Sequence, residues 1–213
     1  MLRAKIIGTG SYAPLKVLSN KDLEAMVETT DEWISMRTGI RERRVSEEDT
    51  TTVMAVNAGK QAIEAAGCEP GDIGLVVVGT VTPEMVFPST ACYVESALGL
   101  KKGAAAFDVS AACSGFLYAL DIAEKYIRSG VSEKALVIGV DQFSKIVDWE
   151  DRSTCVLFGD GAGAVVLTAE ECEGEGKGKG ILSSHIHSEG RRWNMLYVPG
   201  AIGPSPFETR EHV

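Results

Sequence analysis

Short runs of aliphatic and β-branched residues alternate along this chain with longer stretches whose apolar positions recur every three or four residues. That rhythm predicts βαβ units, and so a layered α/β protein around a mixed, mainly parallel sheet. AKIIGTGSYA predicts the first strand, and TTTVMAVNAGKQAIEAAG predicts a helix that Asp49 caps and Gly67 closes. IGLVVVGTV is apolar without alternation, the pattern of a strand covered on both faces. A helix around TACYVESALGL, a strand at AAAFDVS, and two more strands at ALVIGVD and GAGAVVLTAE continue the order. From Glu170 to Gly180 the chain is charged and glycine-rich, as expected of an exposed boundary, and ILSSHIHSE then alternates as a strand should.

Within this order, DVSAACSGFLYAL places Cys113 where a buried strand feeds straight into a helix. The helix is expected to run from Cys113 to Arg128, with Phe116, Leu117, Leu120, Ala123 and Ile127 as its apolar stripe and Gly130 at its end. A helix start offers unpaired backbone N–H groups and the positive end of the macrodipole, both of which favour a thiolate. The carboxyl end of a strand is also where α/β sheets bind ligands. A buried, inert cysteine is the simpler account of a thiol among alanines, but this placement makes Cys113 a nucleophile candidate.

Composition narrows the classes. The formal charge of −9 argues against nucleic acid as a partner, and no apolar run is long enough to span a bilayer. Five cysteines without C-x-x-C spacing argue against a disulfide framework or a zinc site and for reduced thiols in a cytoplasmic protein. Cys92 is expected in a helical core and Cys172 in an exposed loop. His185, His187 and His212 show no metal-site spacing.

Two glycine-rich stretches and one aromatic–basic stretch complete the candidates. GTGSYA fits the G-x-G-x-x-A dinucleotide fingerprint, but Pro14 follows where a helix would have to begin, so a tight turn is expected. FGDGAGAVVL lacks the lysine of a P-loop; its glycines suit close passage of backbone beside a site. In DEWISMRTGIRERR, Trp33 and Arg37 lie four apart and share one helix face, suited to stacking a base and holding phosphate. A half-buried tryptophan beside a surface arginine explains the same pair without a ligand.

Taken together, IIGTGSYAP, DEWISMRTGIRER, FPSTAC, DVSAACSGF and FGDGAGAVVL resemble, in order and spacing, the N-terminal part of β-ketoacyl-acyl carrier protein synthase III. These are thiolase-fold condensing enzymes that initiate type II fatty acid synthesis. The resemblance implies a thiolase-like α/β/α fold, with residues 1–171 as its N-terminal half and 172–213 as the beginning of the C-terminal half. It implies that Cys113 accepts the acyl group and that its backbone N–H forms one arm of an oxyanion hole. Trp33 and Arg152 match the residues that sandwich the adenine of coenzyme A, and Thr29 and Arg37 match neighbouring polar and phosphate contacts. Phe87 matches an aromatic that crosses a homodimer interface to line the partner's acyl pocket.

The implied reaction moves an acyl group, expected to be acetyl, from acyl-CoA to Cys113 and condenses it with malonyl-acyl carrier protein as CO2 is lost. Coenzyme A enters as a substrate thioester, and no tightly bound cofactor is expected. The family's catalytic histidine and asparagine lie in His-Gln-Ala-Asn and Gly-Asn-Thr-Ser motifs, and neither motif occurs in these 213 residues. His185 and His187 match an earlier strand of the family, so a truncated record of a longer enzyme is expected. The arginines of RTGIRERR, Arg43 and Arg44 among them, are a candidate docking face for an acidic carrier protein. The alternatives are a condensing enzyme of polyketide or hydroxymethylglutaryl-CoA type acting on coenzyme A thioesters alone, and a non-catalytic subunit that keeps the fold.

Overall fold

A computed structural model describes residues 2–172 and 179–200 of the 213-residue chain. Most of the predicted glycine-rich boundary, and the tail that holds His212, lie outside the described residues. The elements run β1 (Leu2–Tyr12), β2 (Lys16–Ser19), α1 (Asn20–Glu24), α2 (Asp31–Thr38), β3 (Glu42–Val45), α3 (Thr51–Ala66), β4 (Leu75–Gly79) and α4 (Thr90–Leu98). They continue with β5 (Ala105–Val109), α5 (Gly115–Arg128), β6 (Lys134–Gln142) and β7 (Asp160–Glu171). Among the described residues, no helix is long and apolar enough to cross a membrane.

Five strands form one sheet in the order β1-β7-β6-β4-β5, and β2 and β3 form a separate antiparallel hairpin. The sheet is mixed: β4 is parallel to both β5 and β6, while β7 is antiparallel to β6 and β1. β4 is buried along its whole length because its two faces serve different layers. Val76 and Val78 pack with Met54, Ala58 and Val94 on the α3–α4 side; Leu75 and Val77 pack with Ala119, Ala123 and Ile127 of α5 on the other. That division is the α/β/α layering of the thiolase-like fold, and it explains an apolar run without alternation.

Local chemistry sets the boundaries. The cap of α3 is Thr50, whose side chain accepts from the Val53 N–H. The expected cap, Asp49, accepts a bond from the Tyr12 hydroxyl at 3.0 Å instead. GTGSY is not a turn but the C-terminal part of β1. Its glycines are required by contact: a Cβ at Gly8 would stand 2.2 Å from the Ala62 carbonyl oxygen, and one at Gly10 2.2 Å from that of Ala58. α3 therefore lies directly on the backbone of β1, which no larger residue permits.

Three further expectations change. ILSSHIHSE forms no strand; the Ile181 N–H reaches the Ala4 carbonyl of β1 at 2.8 Å, and the segment then leaves the sheet edge as exposed coil. Alternation alone does not make a strand without a ladder to join. Cys172 is buried at the end of β7, not exposed. Along α5 the inward positions are Ala119, Ala123, Glu124 and Ile127, whereas Leu117 is largely exposed. Glu124 is tolerated inside because Lys125 and Arg128 bind its carboxylate at 2.7 and 3.3 Å.

Candidate active site

β5 ends at Val109, and the chain turns through Ala112–Ser114 in a single 3₁₀ turn before α5 begins at Gly115. Cys113 is therefore two residues ahead of the helix and inside the turn, a small shift from the expected start at the cysteine itself. Ala112, immediately before it, has φ of +44°, a left-handed conformation that costs a non-glycine residue about 1 kcal/mol or more. Cys113 stands exposed in that turn, and the strand before it is the half-buried edge strand of the sheet, not the buried strand expected from sequence. No side chain caps α5 at Ser114, so the first turn of that helix keeps backbone donors for an anion beside the thiol.

The thiol lines a cleft of about 480 Å³ over the carboxyl ends of β4 and β6. Gly79, Gly139, Gly161 and Gly163 form much of its wall. The expectation that the glycines of FGDGAGAVVL lie beside a site is matched by Gly161 and Gly163. Gly139 serves packing as well, since a Cβ there would press on the Phe116 side chain at 2.9 Å.

Asp141 shares the cleft with Cys113 and was not singled out by sequence. Its Oδ1 accepts from the Thr80 hydroxyl at 3.1 Å, the Val81 N–H at 2.8 Å and the Thr82 hydroxyl at 3.1 Å. Burial pushes its carboxyl above the ordinary range, and these three donors pull the other way without cancelling the shift. The available signal was a carboxylate terminating an otherwise apolar strand, ALVIGVD, next to TVT at the end of β4.

A second cluster lies around the β2–β3 hairpin. Thr30 caps α2 by accepting from the Trp33 N–H at 3.1 Å, which fixes the start of the helix that carries Trp33 and Arg37. The Arg37 guanidinium carbon stands 4.9 Å from the Trp33 ring centre and that of Arg152 stands 4.5 Å from it. The structure thus brings together Trp33, Arg37 and Arg152, across more than a hundred residues of sequence. Thr29, just before the cap, has a buried hydroxyl without a hydrogen-bond partner among the described residues. None of these four lines the Cys113 cleft. Phe87 is elsewhere again, 82% exposed in the loop after β4 and beside the exposed Met85 and Val86. His185 and His187 sit in the exposed segment after β7, away from the cleft that Cys113 lines.

The arginine run divides. Arg44 is exposed and donates to the Leu15 carbonyl, but Arg43 is only 6% exposed, with its guanidinium bonded inside the protein. A buried cation cannot meet a docking partner, so Arg43 leaves the candidate carrier-protein face.

Comparison with known proteins agrees with this geometry. Residues 107–190, which include Cys113 and most of the residues that line its cleft, match the family described as 3-oxoacyl-[acyl-carrier-protein] synthase III. A β-ketoacyl-[acyl-carrier-protein] synthase III of Paramagnetospirillum magneticum is 51% identical over 214 aligned residues, covering 100% of this chain and 65% of that protein. One from Thioalkalivibrio sulfidiphilus is 54% identical, covering 98% of this chain and 63% of its own length. The crystal structure of the Pseudomonas aeruginosa 3-oxoacyl-(acyl carrier protein) synthase III superposes with a TM-score of 0.86 at 42% identity, covering 94% of this chain and 61% of that one. The chain thus spans a little under two thirds of the curated relatives it matches. In sequence and in fold, it corresponds to the N-terminal portion of the β-ketoacyl-[acyl-carrier-protein] synthase III family.

Proposed function

We propose that this chain carries the acyl-accepting part of a β-ketoacyl-[acyl-carrier-protein] synthase III. The observation that carries the reading is Cys113, exposed on a strained turn at the head of α5 and lining a cleft at the carboxyl ends of the central strands. In this reading the Cys113 thiolate attacks the thioester carbonyl of an acyl-CoA, coenzyme A thiolate leaves, and a new thioester joins the acyl group to Sγ. Backbone donors at the turn stabilise the oxyanion as it forms.

Malonyl-acyl carrier protein then loses CO2, its carbanion attacks the Cys113 thioester, and the cysteine thiolate departs as the 3-oxoacyl product forms. The histidine and asparagine that the family uses for that step lie in motifs that residues 1–213 do not contain. Trp33, Arg37 and Arg152 hold the adenine and phosphates of coenzyme A, with Thr29 offering its hydroxyl alongside. Their separation from the cleft suits a donor whose nucleotide and thioester are joined by a long pantetheine arm. Exposed Met85, Val86 and Phe87 form the contact with a second copy of the chain, and the protein works in the cytoplasm, where its five cysteines stay reduced. Residues 1–171 make the N-terminal half of the fold, and the described residues from Cys172 onward open the other half.

Mass spectrometry of the intact protein after incubation with acetyl-CoA tests the reading. An acetyl mass increase confined to the Cys113 peptide is expected; an unmodified Cys113 after prolonged incubation would overturn it.

A further inference from the structure

Arg43 is a cation in the wrong place for one. It is 6% exposed, it meets no carboxylate within ion-pair distance among the described residues, and its Nε–H is buried without a hydrogen-bond partner. Burying a guanidinium on neutral acceptors alone costs stability that an apolar side chain of similar volume would not. Its position therefore asks for a reason other than stability, and its bonding partners supply one.

The guanidinium ties together two stretches of chain that hold opposite partners of the Trp33 cluster. Nη1 donates to the Leu18 carbonyl at 3.1 Å, while Nη2 donates to Asn20 Oδ1 at 2.8 Å and to the Val156 carbonyl at 3.2 Å. Asn20, itself 1% exposed, turns its Nδ2 to Asp31 Oδ1 at 2.7 Å and to the Ile40 carbonyl at 2.8 Å. Asp31 opens α2 and Ile40 follows it, so Asn20 grips both ends of the helix that presents Trp33 and Arg37. On the other side, Val156 belongs to the turn anchored by Asp151, whose carbonyl accepts from the Thr154 and Cys155 N–H groups and whose carboxylate accepts from Ser153 and Thr154. Arg152 lies in that turn.

We propose that Arg43 is a positioning residue that sets the spacing between the helix that carries Trp33 and the turn that carries Arg152 through two hydrogen-bonded arms, one by way of Asn20 and α2 and one by way of Val156. A planar fork can bond three acceptors on two separate stretches of chain at fixed angles; a lysine ammonium on a flexible stem cannot hold the same geometry. The proposal rests on the reading of Trp33 and Arg152 as the coenzyme A adenine contacts. The nucleotide end of the donor would thereby be recognised by a face whose width a buried residue fixes, with no contact between that residue and the donor.

The test compares acylation of the full-length protein by acetyl-CoA and by acetyl-pantetheine, which keeps the thioester and lacks the nucleotide. Arg43→Lys and Arg43→Met are expected to raise KM for acetyl-CoA by about threefold to tenfold, with kcat and the KM for acetyl-pantetheine within about twofold of wild type. Equal loss with both donors, or no change with either, overturns the proposal. Should the Arg43 variants fail to fold, Asn20→Ser, which cuts the arm to α2 alone, is held to the same split. Trp33→Ala separates the two ideas: selective loss with acetyl-CoA in Trp33→Ala but not in the Arg43 variants refutes the positioning role only. Equal loss with both donors in Trp33→Ala refutes the adenine reading and the positioning role with it.

Discussion

The guanidinium of Arg152 rests 4.5 Å from the centre of the Trp33 indole, close enough to stack on it directly. An adenine inserted between two such planes needs roughly twice a van der Waals contact of about 3.5 Å, so binding between them requires Arg152 to move outward. Arg152 is a half-buried cation whose long side chain can swing while the hydrogen-bonded turn beneath it stays in place, and Trp33 is held by a capped helix, so the arginine side chain is the part that moves.

Replacing Trp33 by alanine removes the fixed plane. The expected result is a rise of about tenfold in KM for acyl-CoA, corresponding to a loss of about 1.4 kcal/mol of base stacking, with kcat little changed. Steady-state acylation kinetics check it.

Cys113→Ala is expected to abolish the acyl adduct while leaving the fold intact, since the thiol is exposed and contributes no core packing. Cys113→Ser keeps the shape but has a hydroxyl far harder to ionise, and should acylate more slowly by orders of magnitude. Intact-mass time courses distinguish the three proteins.

Asp141 makes stability depend on pH in a stated direction. Its folded carboxyl is raised by burial above the ordinary value of 3.8, so the folded state binds its proton more tightly than the unfolded chain does. The contribution it makes is complete below the unfolded value and is lost as pH rises from there through the raised folded value. Asp141→Asn keeps an oxygen for the Thr80, Val81 and Thr82 donors and carries no charge to bury. The stability of the variant minus that of wild type should therefore increase with pH across that window, and urea unfolding at a series of pH values measures the difference. A difference that is flat or falls with pH would remove the argument.

Gly8→Ala and Gly10→Ala both drive a methyl group into the α3 backbone, where the nearest atom is not a side chain that can swing aside. Each should cost about 2 kcal/mol or more, and thermal unfolding should drop by several degrees. Gly71→Ala is the control, because nothing lies within 4 Å of its Cβ position.

Phe87→Asp tests the contact between copies. A charge at an exposed apolar triplet leaves the monomer fold unaffected and is expected to shift sedimentation toward the monomer by weakening self-association.

What the sequence determined by itself was whatever depends on neighbours along the chain. Periodicity placed β4, α3, α4 and β6, and the switch from a strand period to a helix period put Cys113 at a strand-to-helix junction, because those signals are set by side chains a few residues apart. The arrangement of motifs also carried the family resemblance. The tertiary structure decided the rest. GTGSY reads as a turn until α3 is seen lying on it; ILSSHIHSE reads as a strand until no ladder receives it; and Asp141 gains its significance from Thr80 and Thr82, some sixty residues away. Arg43 shows the limit most plainly. In sequence it is one of four arginines in a polar run, indistinguishable from Arg44, and only the packing of the hairpin against the turn at Val156 turns one of them inward. Burial is a property of the whole chain folded back on itself, and no local pattern encodes which of two adjacent cations will be the one enclosed.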